Sequence, residues 1–266
     1  RQMSLCLGID LERFAHTPAY RRHEDPPEVE LDIEAVVARL LTLLERSGAT
    51  ATFFVVSEIA VDNPALVERI DEAGHEVASH THSHRLLTSI SKAEKRTEIV
   101  DSKEILESVI GGPVRGFRAP ACEIDDDCYE LLARAGYDYS SSVVPGVPIP
   151  GFYDSETDVE RPSVVTTDAG RIAELPVAVA PVVQLPVSGA WMRLLGRRYT
   201  RAVLKRLART RFTATYSHPW EFVEIPSEYP LYTHFRTGEW LWETYDSLLS
   251  LDCAFETVSE GSPVTT

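Results

Sequence analysis

Between Ser79 and His84 the sequence reads SHTHSH, which gathers His80, His82 and His84 from a chain holding eight histidines. Two imidazoles four residues apart reach one metal ion if the chain turns at the end of a strand. A carboxylate from another strand end then completes a set that leaves room for water and substrate. An ion so held polarises a carbonyl and acidifies its water, and a nearby carboxylate takes the proton. HxxxH spacing alone is weak evidence. Asp10 could merely cap a loop, Arg118 could close a structural ion pair, and His218 could be a packed ring beside Trp220. The joint pattern weighs against those readings: Asp10 and Glu12, His80 and His84, Arg118, Asp138 and His218 accompany successive apolar runs. That is the inventory of a metal-assisted hydrolase. If residues 80 to 84 stayed extended, all three histidines would face one way, so a turn must separate them. His82 takes no role in this scheme.

The elements that must position these groups alternate. SLCLGID reads as a strand, and DIEAVVARLLTLLERSG as a helix with Ile33, Val36, Val37, Leu40, Leu41 and Leu44 on one face, Asp32 capping its start and Gly48 ending it. ATATFFVVS, HEVASH, VRGFRAP and YDYSSSVV read as strands. NPALVERIDEAG (Asn63 as cap, Pro64 in the first turn), SKAEKRTEIVDSKEILESVIGG (Ser91 as cap) and EIDDDCYELLARAG read as helices. Residues 145 to 170 read as a long loop. IAELPVAVAPV, YTRAVLKRLART, FTATYSHPW, TGEWLWETYDSLLSL and AFETVS then resume the pattern. Repeated βα units imply a parallel sheet, open and doubly wound or closed as a barrel; in a barrel the chemistry sits at the C-terminal strand ends.

Composition narrows the class. At 266 residues, 44% hydrophobic and 25% charged, the chain can bury a large core, and one α/β domain over 1–266 is expected. With 26 basic against 41 acidic residues the formal charge is −15, which opposes binding to nucleic acid or an anionic membrane. No run approaches a membrane span and the start lacks a secretion-type apolar core, so a cytoplasmic protein without stable membrane insertion is expected. Cys6, Cys122, Cys128 and Cys253 form no CxxC pair and read as free thiols.

The stretches GIDLE, HTHSH, GFRAP, GYDYSSS and YSHPWEF, in that order from about Leu5 to Ser259, resemble the motifs of the polysaccharide deacetylases of carbohydrate esterase family 4, the NodB-homology fold. They are closest to a subgroup with a D-x-E first motif and an H-P-W-E fifth motif. The resemblance implies a distorted (β/α) barrel with seven or so parallel strands, and removal of an amide-linked acyl group from an amino sugar or glycoconjugate. The implied cofactor is a divalent metal, zinc first, with cobalt or nickel as substitutes. Carried over by motif, Glu12, His80 and His84 are the ligands, Asp10 is the base, Arg118 holds the base, and His218 is the acid that protonates the leaving nitrogen. Pro120, Trp191 and Trp220 are expected to contact substrate, with Pro219 and Trp220 walling the acyl methyl. Arg193, Arg197 or Arg198 would meet an anionic group on it.

Three departures carry expectations of their own. Glu12 is one methylene longer than the usual aspartate; Arg13 brings a positive charge beside the ligands unless it points away; and Asp138, on the same strand face as Ser140, is expected to orient Arg118 in place of the family's aspartate. The competing functions are hydrolysis of another amide, a formylated sugar or cyclic ureide, and a catalytically degenerate carbohydrate-binding protein.

Overall fold

The computed structural model describes residues 4–146, 159–209 and 212–264. β1 (Ser4–Leu11) is buried along almost its whole length, as a central parallel strand must be. After α1 (Pro18–Arg21) come α2 (Ile33–Ser47), β2 (Thr52–Val55), α3 (Ser57–Asp62), α4 (Pro64–Glu72) and β3 (Glu76–Ser79). A long helix follows in three parts: α5 (Lys92–Arg96), a π turn at Thr97–Asp101, and α6 (Ser102–Ile110). Then come β4 (Gly116–Phe117), α7 (Asp126–Ala135), β5 (Tyr139–Ser140), β6 (Ser163–Thr167), β7 (Gly170–Glu174), α8 (Gly189–Leu195) and α9 (Arg197–Leu207). β8 (Ala214–Ser217), α10 (Leu231–His234), α11 (Glu239–Leu249), β9 (Ala254–Glu256) and α12 (Val258–Gly261) complete the order.

Local chemistry explains the helix boundaries. The Asp32 carboxylate accepts from Ala35 N at the start of α2, and Gly48 ends it in the left-handed region at φ 60°. Asn63 caps α4 ahead of Pro64, and Ser91 and Glu94 form a reciprocal capping box on α5. The inward face of α2 (Val36, Val37, Leu40, Leu41, Leu44) is buried against the sheet; Ile33 is only partly covered. Each such side chain contributes about 1.5–3 kcal/mol of burial, which fixes the helix rotation.

The strand order is β6-β7-β5-β4-β3-β2-β1-β8, with β9 also paired to β1. Every pairing is parallel except the β6–β7 hairpin. Between β7 and β8 the ladder is interrupted; an isolated parallel bridge, Val177 to Ala214, with Ala178 N donating 2.8 Å to Ala214 O, spans the gap, and a second joins Ser188 to Tyr216. The result is a distorted (β/α) barrel, and its parallel strands present their C-terminal ends on one side.

Two differences from the sequence expectation stand out. Part of the stretch read as loop, 145 to 170, is the edge strand β6, whose SVVTT is half exposed and lacks an apolar run; residues 147–158 of that stretch lie outside the described residues. α3 and α8 were not expected: both are short, and neither has a side-chain cap to mark its start. Among the described residues no helix is long and apolar enough to cross a membrane, and Cys6, Cys122, Cys128 and Cys253 are free thiols.

Candidate active site

β1 delivers two carboxylates. Asp10 and Glu12 are both 3% exposed, and the chain turns between them through Glu12 N donating to Asp10 O. Arg118, fully buried just past β4, donates from Nη1 to Asp10 Oδ1 at 2.6 Å. The same guanidinium donates from Nε to the Ser141 carbonyl (2.8 Å) and from Nη2 to Ser141 Oγ (2.9 Å), and lies 3.9 Å over the Phe54 ring. It passes so close to β1 that a Cβ on Gly8 would come within 2.8 Å of Nη1, so glycine is required there. The Arg118 carbonyl meanwhile takes a 2.8 Å hydrogen bond from His80 Nδ1, which leaves Nε2 of that ring as the free lone pair. One residue thereby orients both the proposed base and a proposed ligand.

The turn demanded by three alternating histidines is present, and it is strained. Thr81 and His84 sit at φ 68° and 57°, unusual for non-glycine residues. Bonds from several directions hold them there. Thr81 Oγ1 accepts from His84 N; Ser57 N and Glu58 N donate to the carbonyls of Thr81 and His82; and Arg21 donates to the carbonyls of His84 (3.0 Å) and Ser83 (3.2 Å). Glu98, buried in the π turn, accepts from His82 N (3.0 Å), Ser83 N (2.8 Å) and Ser83 Oγ (2.5 Å). His82 acquires a structural role, its Nδ1 lying 2.9 Å from Ser57 Oγ. π turns of this kind recur at functional sites.

His218 follows β8. Its Nε2 lies 4.0 Å from Asp10 Oδ2 and 3.9 Å from Glu12 Oε1, facing them across the cavity, and its Nδ1 is 2.8 Å from Glu221 Oε1. Glu221 is anchored in turn by Arg193 Nε, 2.8 Å away, with both side chains fully buried. Burial opposes protonation of His218, yet the hydrogen bond to Glu221 and the charges of Glu12, Glu221 and Asp10 outweigh it and push the imidazole up to about 9. Trp220 stacks on His218 (centroids 4.9 Å, 16°) and donates from Nε1 to Glu12 Oε1 at 2.9 Å.

These groups share one cavity of about 320 Å³, walled by α1, the residue before α8 and the segment around α10, and lined among others by Asp10, Glu12, His84, Tyr216, His218 and Trp220. Several expected residues take other positions. Asp138 does not orient Arg118. It precedes β5, at the N-terminal end of the barrel, and pairs at the surface with Arg115 (3.3 Å), while Ser141 at the opposite end of the strand holds the arginine. Trp191 and Pro120 are absent from the lining, although their neighbours Ala190, Ala119 and Ala121 belong to it. Arg193 meets no solvent: besides Glu221 it donates to the carbonyls of Tyr232, Thr233 and Phe235. Arg197 pairs with Glu243. Arg13 points away from the ligands to Asp62, 2.6 Å away.

Sequence reasoning missed Glu221, Ser141, Glu98, Arg21 and His16. The first two sit inside quoted motifs, whereas Glu98 reads as a surface helix charge and Arg21 as part of a polar, proline-containing loop. His16 stacks on His84 (5.7 Å, 15°) and is pushed down to about 4, chiefly by burial, so it is a neutral ring in the wall.

The donor set fits a divalent ion. Ligand atoms of Glu12, His80 and His84 lie within 4.8 Å of one another, all buried. Glu12 Oε2 is 2.6 Å from His84 Nε2, but no hydrogen bond of acceptable direction reaches this oxygen. A buried carboxylate oxygen without a directed donor, beside two imidazole nitrogens, is the arrangement expected of ligands converging on a cation. Burial alone would raise the Glu12 pKa, but His84, His218 and His80 outweigh it and keep the carboxylate ionised. Two imidazoles and a carboxylate suit zinc, and also cobalt or nickel.

Comparison with known proteins gives two matches that abut. Residues 24–140 match the polysaccharide deacetylase family, and residues 141–261 match a domain of unknown function, DUF3473. A peptidoglycan-N-acetylglucosamine deacetylase of Bacillus cereus is 32% identical over 99 residues, 37% of this chain and 46% of that protein, so the chain matches less than half of that relative's length. A putative polysaccharide deacetylase from Mycobacterium smegmatis superposes with a TM-score of 0.65 at 21% identity, covering 97% of this chain and 88% of that one. A family 4 carbohydrate esterase from Streptomyces lividans in complex with acetate superposes at 0.57 with 16% identity, covering 98% and 97%. At these identities the structural likeness speaks for the fold.

Proposed function

Since residues 24–140 belong to the polysaccharide deacetylase family, we propose that this chain is a metal-dependent hydrolase that removes an N-acetyl group from an amino sugar or amino-sugar polymer. The observation that carries the reading is the convergence of three potential ligands, a carboxylate base and a raised-pKa imidazole on one cavity. We take residues 1–266 as one catalytic domain, because ligands and base come from before residue 141 and the imidazole from after it.

Glu12, His80 and His84 would hold the ion, zinc by their donor set, which when bound supplies Lewis-acid polarisation of the amide carbonyl and acidified water. The remaining work belongs to the chain's own groups. Arg118 occupies Asp10 Oδ1, so Oδ2 is the oxygen that faces the cavity and accepts a proton from the attacking water. His218, with Nδ1 committed to Glu221, enters as an imidazolium at neutral pH and gives its Nε2 proton to the leaving nitrogen. Asp10 and His218 approach the same point from β1 and β8, as a paired base and acid require. Trp220, stacked on His218 and bonded to Glu12, closes the wall on the acyl side.

The test is metal content and deacetylation together. Wild type exposed to zinc, cobalt or nickel and then desalted should retain one ion per chain and release acetate from N-acetylglucosamine oligomers. His80→Ala should lose both ion and activity, and His218→Ala should keep the ion and lose turnover. A wild type that retains no ion, or activity that survives both substitutions, refutes the reading.

A further inference from the structure

Among the described residues, two that line the cavity carry a buried side-chain atom without a hydrogen-bond partner: Glu12 at Oε2, which the ion explains, and Ser188 at Oγ. Nothing in the mechanism above uses Ser188. The residue is 1% exposed and is the N-cap of α8, where a serine hydroxyl ordinarily accepts from a backbone N–H of the first turn; here it makes no such bond. A hydroxyl buried without a partner costs stability, so its retention calls for a ligand that completes it.

Its place indicates which part of the ligand. Ser188 pairs in parallel with Tyr216 on the flank of β8 opposite β1. Across the sheet, His218 on the β8 side therefore stands between Ser188 and the Asp10–Glu12 pair, while along the strand Ser188 is level with Tyr216, two residues short of His218. The acyl carbon must lie at the β1 side, near the ligands, and the leaving nitrogen near His218. What continues past His218 towards Ser188 is the sugar ring.

We propose that Ser188 is a specificity residue whose hydroxyl hydrogen-bonds a ring hydroxyl next to the acylamido group of the substrate. This inference rests on the deacetylase reading and adds a recognition element to it. A hydroxyl both donates and accepts, so it suits a sugar hydroxyl, and it is placed to bind the substrate rather than to take part in proton transfer. Gly189 beside it is held to glycine by another neighbour, since a Cβ there would sit 2.3 Å from Glu221 Oε1; this pins the backbone that carries Ser188 against the acid's anchor.

The experiment compares wild type with Ser188→Ala, both zinc-loaded, on an N-acetylglucosamine tetramer. The expected result is KM raised about tenfold, the worth of one neutral hydrogen bond, with kcat within about twofold and zinc content unchanged. The melting temperature should be unchanged or higher, because an unpaired buried hydroxyl has gone. Unchanged KM, a fall in kcat alone, or lost zinc overturns the proposal. If wild type turns over no tetramer, the deacetylase reading itself has failed. Calorimetric titration of the same tetramer then decides Ser188 separately: weaker binding by Ser188→Ala supports the contact, and equal or absent binding refutes it.

Discussion

Glu98→Gln is the substitution that most directly tests how the ligand loop is held. The carboxylate accepts three hydrogen bonds from His82 and Ser83, in a loop that keeps Thr81 and His84 in the left-handed region. Bonds to an ionised acceptor contribute about 1.5–3 kcal/mol each, and each left-handed non-glycine residue stores about 1–3 kcal/mol of strain. Glutamine can keep its oxygen on His82 N and Ser83 N and turn its NH2 to the Ser83 hydroxyl, which reverses to accept, so all three bonds survive only as weaker neutral ones. A net loss of about 2 to 4 kcal/mol in loop order follows from those bonds. Because His84 is itself one of the strained residues, relaxation of the loop moves a ligand. Zinc affinity should therefore fall by about 10- to 100-fold, the usual effect of removing a residue that orients a ligand. Competition with a chelator of known affinity measures it, with the metal-free melting temperature recorded alongside. If Glu98→Gln holds zinc as tightly as wild type and melts at the same temperature, then the loop is set by its own backbone and by Arg21, and the role given to Glu98 is wrong.

Three further outcomes follow from the same geometry. Asp10→Asn should lower kcat by about 10²- to 10⁴-fold, the range for loss of a general base, while zinc stays bound; single-turnover acetate release beside metal analysis checks this. Glu221→Gln removes the anion whose hydrogen bond leads in raising His218, so the alkaline limb of kcat against pH, where the imidazolium loses its proton, should move to lower pH; an unmoved limb would assign it to another group. Arg193→Leu removes the guanidinium from the buried Glu221 and leaves that carboxylate held by His218 alone, which should cost about 3–5 kcal/mol of stability, read as a clear drop in the denaturant midpoint, whereas a surface arginine would cost almost nothing.

Much of this site was legible because its chemistry sits at the ends of apolar runs, where a parallel barrel must place it. Asp10, His80, His84, Arg118 and His218 were found that way; four of them line one cavity, and Arg118 lies behind it, bonded to Asp10. Asp138 shows the limit of the method. Alternation placed it on the strand face of Ser140, but it precedes β5 and is exposed, and the two-residue offset carries it about 6.6 Å along the chain, to the wrong end of the barrel, where Arg115 is its partner. Trp191 and Arg193 show another limit: without the cap signal that marks a helix start, nothing indicated which residues of α8 face the cavity and which turn inward. Glu98 was invisible for a third reason, since a glutamate in a helical pattern reads as solvent-facing until a π turn and a loop of unsatisfied amides give it a buried task.

The two family matches meet at residues 140 and 141, at the end of β5, and the contacts that organise the cavity cross that seam. Arg118, from the first segment, is steadied by Ser141 from the second. Glu174, deep in the second segment, accepts from Ser142 N and Val143 N, and Ser142 Oγ accepts from Ala119 N, so the loop after β4 is tied to β7. Trp220 bonds Glu12 across the barrel, and the His218 imidazole is raised by carboxylates from both sides of the seam, Glu221 after it and Glu12 and Asp10 from β1, ahead of the first match. Cutting the chain at residue 140 would therefore remove the acid and loosen the base and a ligand together. The second segment supplies half of the proposed catalytic apparatus, and a fragment ending at residue 140 should neither turn over substrate nor hold Asp10 and Glu12 in the positions described.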